Sequence, residues 1–167
     1  MSQRRAEPIA PGPGQESVWD YPRPPRLEPS ARRVRVEFGG VTIVDTAEAW
    51  RVLETSHPPV YYVPRSAITA EHLVRTNRRS FCEFKGNASY YTVRAGGQTA
   101  SDAAWTYLDP TPAFAALADH VAFYPGRMDA CYLDDEPVRA QPGDFYGGWI
   151  TDEIVGPFKG DPGTMGW

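Results

Sequence analysis

RRVRVEFGGVTIVDT, residues 32–46, carries the pattern from which the fold is read. Val34, Val36 and Phe38 alternate with Arg33, Arg35 and Glu37, so a strand there turns one apolar face inward. Gly39-Gly40 supplies two residues that tolerate positive φ, and VTIVDT returns as the partner strand of a hairpin.

Downstream, Asp45 or Thr46 sits where an N-cap belongs, with Glu48 three residues after Asp45 as in a capping box. This predicts a short helix over AEAWRVLET (47–55), with Ala49, Val52 and Leu53 inward, stopped by Pro58-Pro59. VYYVP (60–64) reads as a strand, and ITAEHLV (68–74) as one or two helical turns starting at Thr69. SFCEF (80–84), ASYYTVR (88–94), TASDAAWTYL (99–108), HVAFYP (120–125) and ACYLD (130–134) are then short, aromatic and β-branched, separated by turn residues. Only PAFAALAD (112–119) among them reads as helical. The predicted fold is mainly β: a compact antiparallel sandwich or partly open barrel with two or three short helices. Regular βαβ alternation is absent, which argues against a doubly wound nucleotide fold.

Upstream, residues 1–30 hold seven prolines, four of them in YPRPPRLEP. Proline fixes φ and removes a donor, so this stretch is expected as a partly disordered arm, extended near Trp19 and Tyr21, whose rings pin it to the domain. The expected organisation is an arm over 1–30 and one β domain over 31–167, a usual size for a single core.

The 167 residues are 41% hydrophobic and 13% aromatic, with a net charge of −4. Residues 1–35 carry seven Arg against four acids, and the remainder ten basic against seventeen acidic groups, so the predicted folded part is acidic. That is the reverse of a nucleic-acid binder. No apolar run is long enough to span a bilayer, and the N-terminus lacks the apolar segment of a secretory signal. Two cysteines without a CxxC give neither a disulfide framework nor a zinc knuckle, and a cytoplasmic location is expected.

Fifteen of the seventeen basic residues are Arg; the two lysines, Lys85 and Lys159, each stand in a Phe-Lys-Gly triplet. Lysine offers a compact ammonium whose pKa falls on burial, where arginine stays protonated over a plane. Keeping Lys at both places points to a carboxylate or phosphate contact, or to acid–base chemistry. The plain alternative is a stem threading past a ring, its head paired with Asp144, Asp152 or Asp161. GPFKGDPGT is not a phosphate loop, since Lys159 follows Phe and no Ser or Thr comes next. Cys82 meets Lys85 only if a turn breaks the strand between them; otherwise it is a small buried hydrophobe. His57, His72 and His120 are scattered, the acids lie mostly in turns, and no metal or cofactor is expected.

The aromatic residues form the largest set on predicted strands. Trp105 and Tyr107 share a strand face, and Tyr62, Tyr90, Tyr124 and Trp149 fall on strands or their ends. Tyr and Trp carry a polar group that favours half-wet cavities, and Gly147-Gly148 lets backbone or ligand approach closely.

YPRPPR, LETSHPPVYYVP, FCEFKGNASYYTV, AAWTY, VAFYP and FYGGWITDEIVGPFKGDPGTMGW, with the hairpin, together resemble the bacterial domain-of-unknown-function 427 family, sometimes labelled a nucleotidyltransferase-type domain. The resemblance runs from about Tyr21 to Trp167. It implies a β-tent or Mss4-like antiparallel domain, although the cysteines of the usual β-tent zinc site are missing. The family's Tyr-Tyr-x-Pro matches Tyr61, Tyr62 and Pro64, and its Cys-x-x-Lys-Gly matches Cys82, Lys85 and Gly86. Its Gly-Gly-Trp matches Gly147 to Trp149, and its Phe-Lys-Gly matches Phe158 to Gly160. Glu83-Phe84 departs from the Pro-Trp or Glu-Trp of many relatives. The nucleotidyltransferase label implies paired metal-binding carboxylates, and no DxD is placed to hold Mg²⁺.

The leading expectation is a small anionic or carbonyl-bearing ligand in an aromatic-lined pocket, with Lys85 and Lys159 as its positive contacts. Tyr62, Tyr90, Trp105, Tyr107, Tyr124 and Trp149 would form the walls, and Cys82, Lys85 or Tyr107 the reactive group if a reaction follows. The alternatives are an interaction module gripping a protein or peptide with help from the N-terminal arm, and a transferase-type enzyme using an activated Lys or Cys.

Overall fold

The alternation in residues 32–46 becomes a hairpin in the computed structural model, which describes residues 6–143 and 145–167. Val34–Phe38 pairs antiparallel with Val41–Thr46 around the Gly39-Gly40 turn. Val34 and Val36 are fully buried, and Arg33 on the opposite face pairs with Asp45 at 2.8 Å. Ala130–Leu133 adds to the far edge of Val34–Phe38, and Glu136–Pro137 completes a four-stranded sheet.

A larger sheet of seven antiparallel strands faces it. Its order is Arg26–Ser30, Ala49–Leu53, Val60–Pro64, His120–Phe123, Gln98–Thr106, Gly86–Ala95 and Leu73–Cys82. Tyr61, Val63, Val93, Ala104 and Phe123 on its inner face pack against Val34, Val36, Val44, Cys131 and Leu133. Each such fully buried Val, Leu or Phe contributes roughly 1.5–3 kcal/mol relative to exposure. Neither sheet closes into a barrel, so the predicted compact antiparallel β domain is what forms.

The expected helix over 47–55 does not form. Thr46 Oγ1 accepts the Glu48 amide at 3.2 Å as a cap would, but Ala49–Leu53 then runs as a strand. Trp50, Arg51 and Val52 pair with Tyr62, Tyr61 and Val60 on one side and with Pro29, Glu28 and Leu27 on the other. Two ladders outweigh a weak local helical preference. ITAEHLV yields a single 3₁₀ turn, Ala70–His72, before Leu73 enters its strand. PAFAALAD becomes 3₁₀ turns over Pro112–Leu117, broken at Phe114, with Phe114 and Leu117 buried.

Part of the proline-rich stretch lies in sheets. Arg26–Ser30 is an edge strand, the position in which a sheet accepts Pro29, and it precedes the boundary expected at residue 30. Glu16–Ser17 pairs parallel with Ile154–Val155. Trp19 Nε1 donates to the Pro157 carbonyl at 2.9 Å, and Tyr21 packs with Val18, Leu53 and Ile154. These two rings hold the segment to the body as expected; residues 1–5 of the arm lie outside the described residues. Among the described residues no helix is long and apolar enough to cross a membrane.

Candidate functional site

The outer face of the seven-stranded sheet carries a second apolar cluster. Period two sends Tyr62 and Tyr90 outward while their neighbours Tyr61 and Tyr91 face the core. Register then sets Tyr90 beside Trp105, and Trp105 beside Ala122. Phe114 and Leu117 join this cluster from the 3₁₀ segment. The space that remains is a cavity of about 280 Å³, walled also by residues around 54–60 and 141–147.

Both lysines line it, together with Cys82. Cys82 ends its strand and pairs with Gly86, so residues 83–85 form a turn and the alternation that would separate Cys82 from Lys85 stops between them. Thr111 fixes the turn: its amide donates to the Lys85 carbonyl at 3.0 Å and its hydroxyl to the Phe84 carbonyl at 2.6 Å. Lys85 is only 9% exposed, with Nζ 5.9 Å from the ring centroids of both Tyr107 and Phe114. Lys159 is half-buried; its amide donates to the Ser56 carbonyl at 2.9 Å, and its Nζ to the Trp167 oxygen at 3.3 Å. The glycine of each triplet has positive φ, 107° at Gly86 and 132° at Gly160. At Gly160 a Cβ would also lie 1.9 Å from the Pro142 carbonyl oxygen. The shared Phe-Lys-Gly triplet is thus a lysine followed by a turn that only glycine makes easily.

Among the described residues no Asp or Glu side chain forms an ion pair with Lys85, while the Lys159 ammonium is engaged with the Trp167 oxygen. Asp152 pairs instead with Arg139 at 2.9 Å, and Asp161 meets Lys159 through a backbone bridge. Asp144, the third carboxylate considered as a partner, lies outside the described residues.

Among the described residues five phenols line the space, four of them those expected from the sequence. Tyr62 accepts from Trp105 Nε1 at 3.3 Å, and its ring lies 6.3 Å from that of Tyr107. Tyr90 shares a hydrogen bond with Ser80 at 2.8 Å, while Tyr124 donates to the Phe145 carbonyl at 3.1 Å and packs on Trp105 at 4.6 Å. Burial, foremost, pushes the Tyr62, Tyr107 and Tyr124 hydroxyls well above the ordinary phenol range. They stay protonated and serve as donors. Tyr107, expected as a reactive group, is therefore fitted to hydrogen bonding rather than to acting as a base.

Trp149 is not at the cavity. It is 2% exposed in the core between the sheets, where Nε1 donates to the Phe123 carbonyl at 3.2 Å and its ring lies 5.4 Å from Tyr61. Its neighbour Gly147 does line the space, pressed so closely on the Trp105 indole that a Cβ would lie 2.2 Å from Cη2.

The polar lining residues that the expected site did not include are led by His57, Gln141 and Tyr146. Gln141 is 3% exposed and fully used. Its Oε1 accepts from the Gly148 amide at 3.0 Å, and its Nε2 donates to His57 Nδ1 at 3.1 Å and to the Lys159 carbonyl at 2.8 Å. Burial, and then the charges of Lys159, Arg23 and Lys85, push the His57 imidazole down to about 3. It is neutral, so its 3.7 Å approach to Glu54 is not an ion pair; Glu54 pairs with Arg23 at 3.2 Å. Tyr146 lies against both, its ring centroid 5.0 Å from the imidazole and 5.6 Å from Lys159 Nζ. In the sequence, His57 and Tyr146 fall within the stretches that carry the family resemblance, and Tyr146 is also one of the aromatics at the end of a predicted strand.

The site therefore joins two ammonium groups, several protonated phenols, a neutral imidazole and one thiol around one concavity. Those groups are chemically suited to negative charge or a polarised oxygen. Among the described residues no three His, Cys, Asp or Glu side chains converge as a metal would need.

A family model described as a domain of unknown function (DUF427) matches residues 26–134. The match contains Tyr62, Cys82, Lys85, Tyr90, Trp105, Tyr107 and Tyr124, and stops before Gln141 and Lys159. None of the curated proteins matches the chain.

Proposed function

The chain belongs to the DUF427 family, whose description carries no activity, and from the geometry of the cavity we propose that it binds a small anionic or carbonyl-bearing molecule there. One observation carries the reading: Lys85 and Lys159, distant in sequence, open on one cavity, and the buried Lys85 has no Asp or Glu partner among the described residues. A buried ammonium beside apolar rings is costly unless something negative meets it, and a ligand anion answers that need. Tyr62, Tyr90 and Tyr107 supply hydroxyls and walls, Tyr124 a wall, and Trp105 sets the orientation of Tyr62. A cytoplasmic location is part of this proposal, supported by two free thiols, Cys82 and Cys131.

Native mass spectrometry of the gently purified chain and a thermal-shift screen of small acids and carbonyl compounds test it. The expected result is a bound small molecule, or an acid that raises Tm in the wild type and does so less in Lys85→Met and Lys159→Met. Lys85→Arg should weaken binding about tenfold, because a planar guanidinium is larger than the ammonium held beside the Tyr107 and Phe114 rings. Full binding by Arg at both positions leaves charge alone as the requirement and removes the lysine-specific part of the proposal. No bound molecule and no stabilising acid overturns the reading.

Covalent chemistry is a second reading, favoured by Cys82 and Lys85 standing on one turn at the cavity. It predicts that an electrophile labels Cys82 or Lys85 of the native protein selectively, and that a ligand filling the cavity protects them. An interaction module has less support, since Ile9, Glu16 and Trp19 of the arm are engaged with the chain's own residues 154–157.

A further inference from the structure

Charge and apolar surface are graded along the cavity. Lys85 lies at the buried end, against Tyr107 and Phe114, which are 5% and 3% exposed. At the open end stand Phe81 and Phe145, 70% and 57% exposed, both lining the same cavity. An isolated exposed phenylalanine is ordinary, but two flanking one opening form an apolar rim. Glu83, also exposed, lines that end and has no ion pair among the described residues. A second negative group at the outer end of a ligand would meet its carboxylate. At about 280 Å³ the cavity falls just short of the ~300 Å³ at which drug-sized sites begin, so a ligand of that size extends into the rim.

We propose that the cavity takes an amphipathic monocarboxylate, its carboxylate inward at Lys85 and its aryl or alkyl tail outward between Phe81 and Phe145. This rests on the anion-binding reading above and adds orientation, charge number and tail chemistry. The single carboxylate meets the buried ammonium and the protonated phenols, and Val52, Val60 and Trp105 add apolar wall to the same cavity.

Isothermal titration of the full chain with 4-phenylbutyrate, acetate and 4-phenylbutan-1-ol tests the assignment. It compares the wild type with the double variant Phe81→Ser/Phe145→Ser, whose folding is checked by circular dichroism melts. In the wild type, phenylbutyrate should bind at least tenfold more tightly than acetate, and at least tenfold more tightly than the neutral alcohol. In the double variant the preference for phenylbutyrate over acetate should fall below threefold. Equal binding of the two acids by the wild type overturns the tail assignment, as does a preference that survives in the double variant; both leave the anion reading standing. Alcohol binding as tight as phenylbutyrate overturns the inward carboxylate. Failure of every acid to bind overturns the anion reading and this inference with it.

Discussion

Gln141 donates to Nδ1 of His57 at 3.1 Å, which leaves the imidazole's single proton on Nε2. Gln141 reaches the Lys159 carbonyl with the same amide nitrogen, so the glutamine joins a segment near residue 57 to one near residue 159 behind the cavity wall. The bracket is buried and every polar atom of its amide is used.

Gln141→Leu keeps the volume and removes the donors and acceptor together. The Gly148 amide, the Lys159 carbonyl and His57 Nδ1 then lose partners in a largely buried place. A loss of about 2–4 kcal/mol is expected, read as a lower urea midpoint with unchanged slope. A change under ~0.5 kcal/mol would show that water replaces the amide without cost.

His57 gives a pH dependence of defined sign. Its folded pKa, pushed down to about 3, lies below the ordinary ~6.5, so between those values the unfolded chain binds the extra proton. Stability from this group is complete above about pH 6.5 and falls with acidification, by up to about 1.4 kcal/mol per pH unit. Urea titrations between pH 4.5 and 6.5 avoid the carboxylates Glu16, Asp45 and Asp134, held below their usual range by hydrogen bonds from Arg51, Arg33 and Arg32. His57→Gln should flatten the profile in that window; an equal slope in both proteins assigns it elsewhere.

Gly147→Ala drives a methyl into the Trp105 ring, 2.2 Å from Cη2. Overpacking of this kind costs about 1–3 kcal/mol, and the displaced indole loses its 3.3 Å bond to Tyr62. A lower Tm with altered tryptophan emission is expected. Unchanged emission and stability would mean that the loop lifts away freely.

The two tryptophans separate stability from ligand contact. Trp149→Phe removes a buried donor to the Phe123 carbonyl and should destabilise by about 1–3 kcal/mol without changing acid binding. Trp105→Phe should alter binding, because it frees the Tyr62 hydroxyl inside the cavity. The reverse pattern would move the site to the core face.

The thiols should differ as their surroundings do. Cys131 is 2% exposed and burial pushes it up to about 12, whereas Cys82 is partly open on the cavity. One equivalent of an aromatic disulfide reagent should react in the native protein and the second only on unfolding. Slow reaction of both would close Cys82 off from solvent.

What could be read from the sequence was whatever a short window determines. The Val34–Phe38 alternation and the Gly-Gly turn are local, and so is the face that Trp105 shares with Tyr107. AEAWRVLET misleads because its apolar residues satisfy a helical spacing, while the deciding partners, Pro29 and Tyr62, lie elsewhere in the chain. The lysine pair stood out through composition alone, since arginine fills every other cationic position. His57 and Gln141 gave no such sign, because their roles exist only once residues 57, 141 and 159 meet. Trp149 shows the converse: a strand aromatic beside two glycines whose phase points to the other side of the sheet.

The parallel pairing of Glu16 with Ile154 joins segments from opposite ends of the chain. On the ribosome both large sheets can therefore assemble before the seam can close, and Lys159 follows only five positions after Ile154. A nascent chain stalled before that point would display Lys85 and the phenols in a trough missing one flank. The chamber is complete only after residue 159 has been made, behind both large sheets.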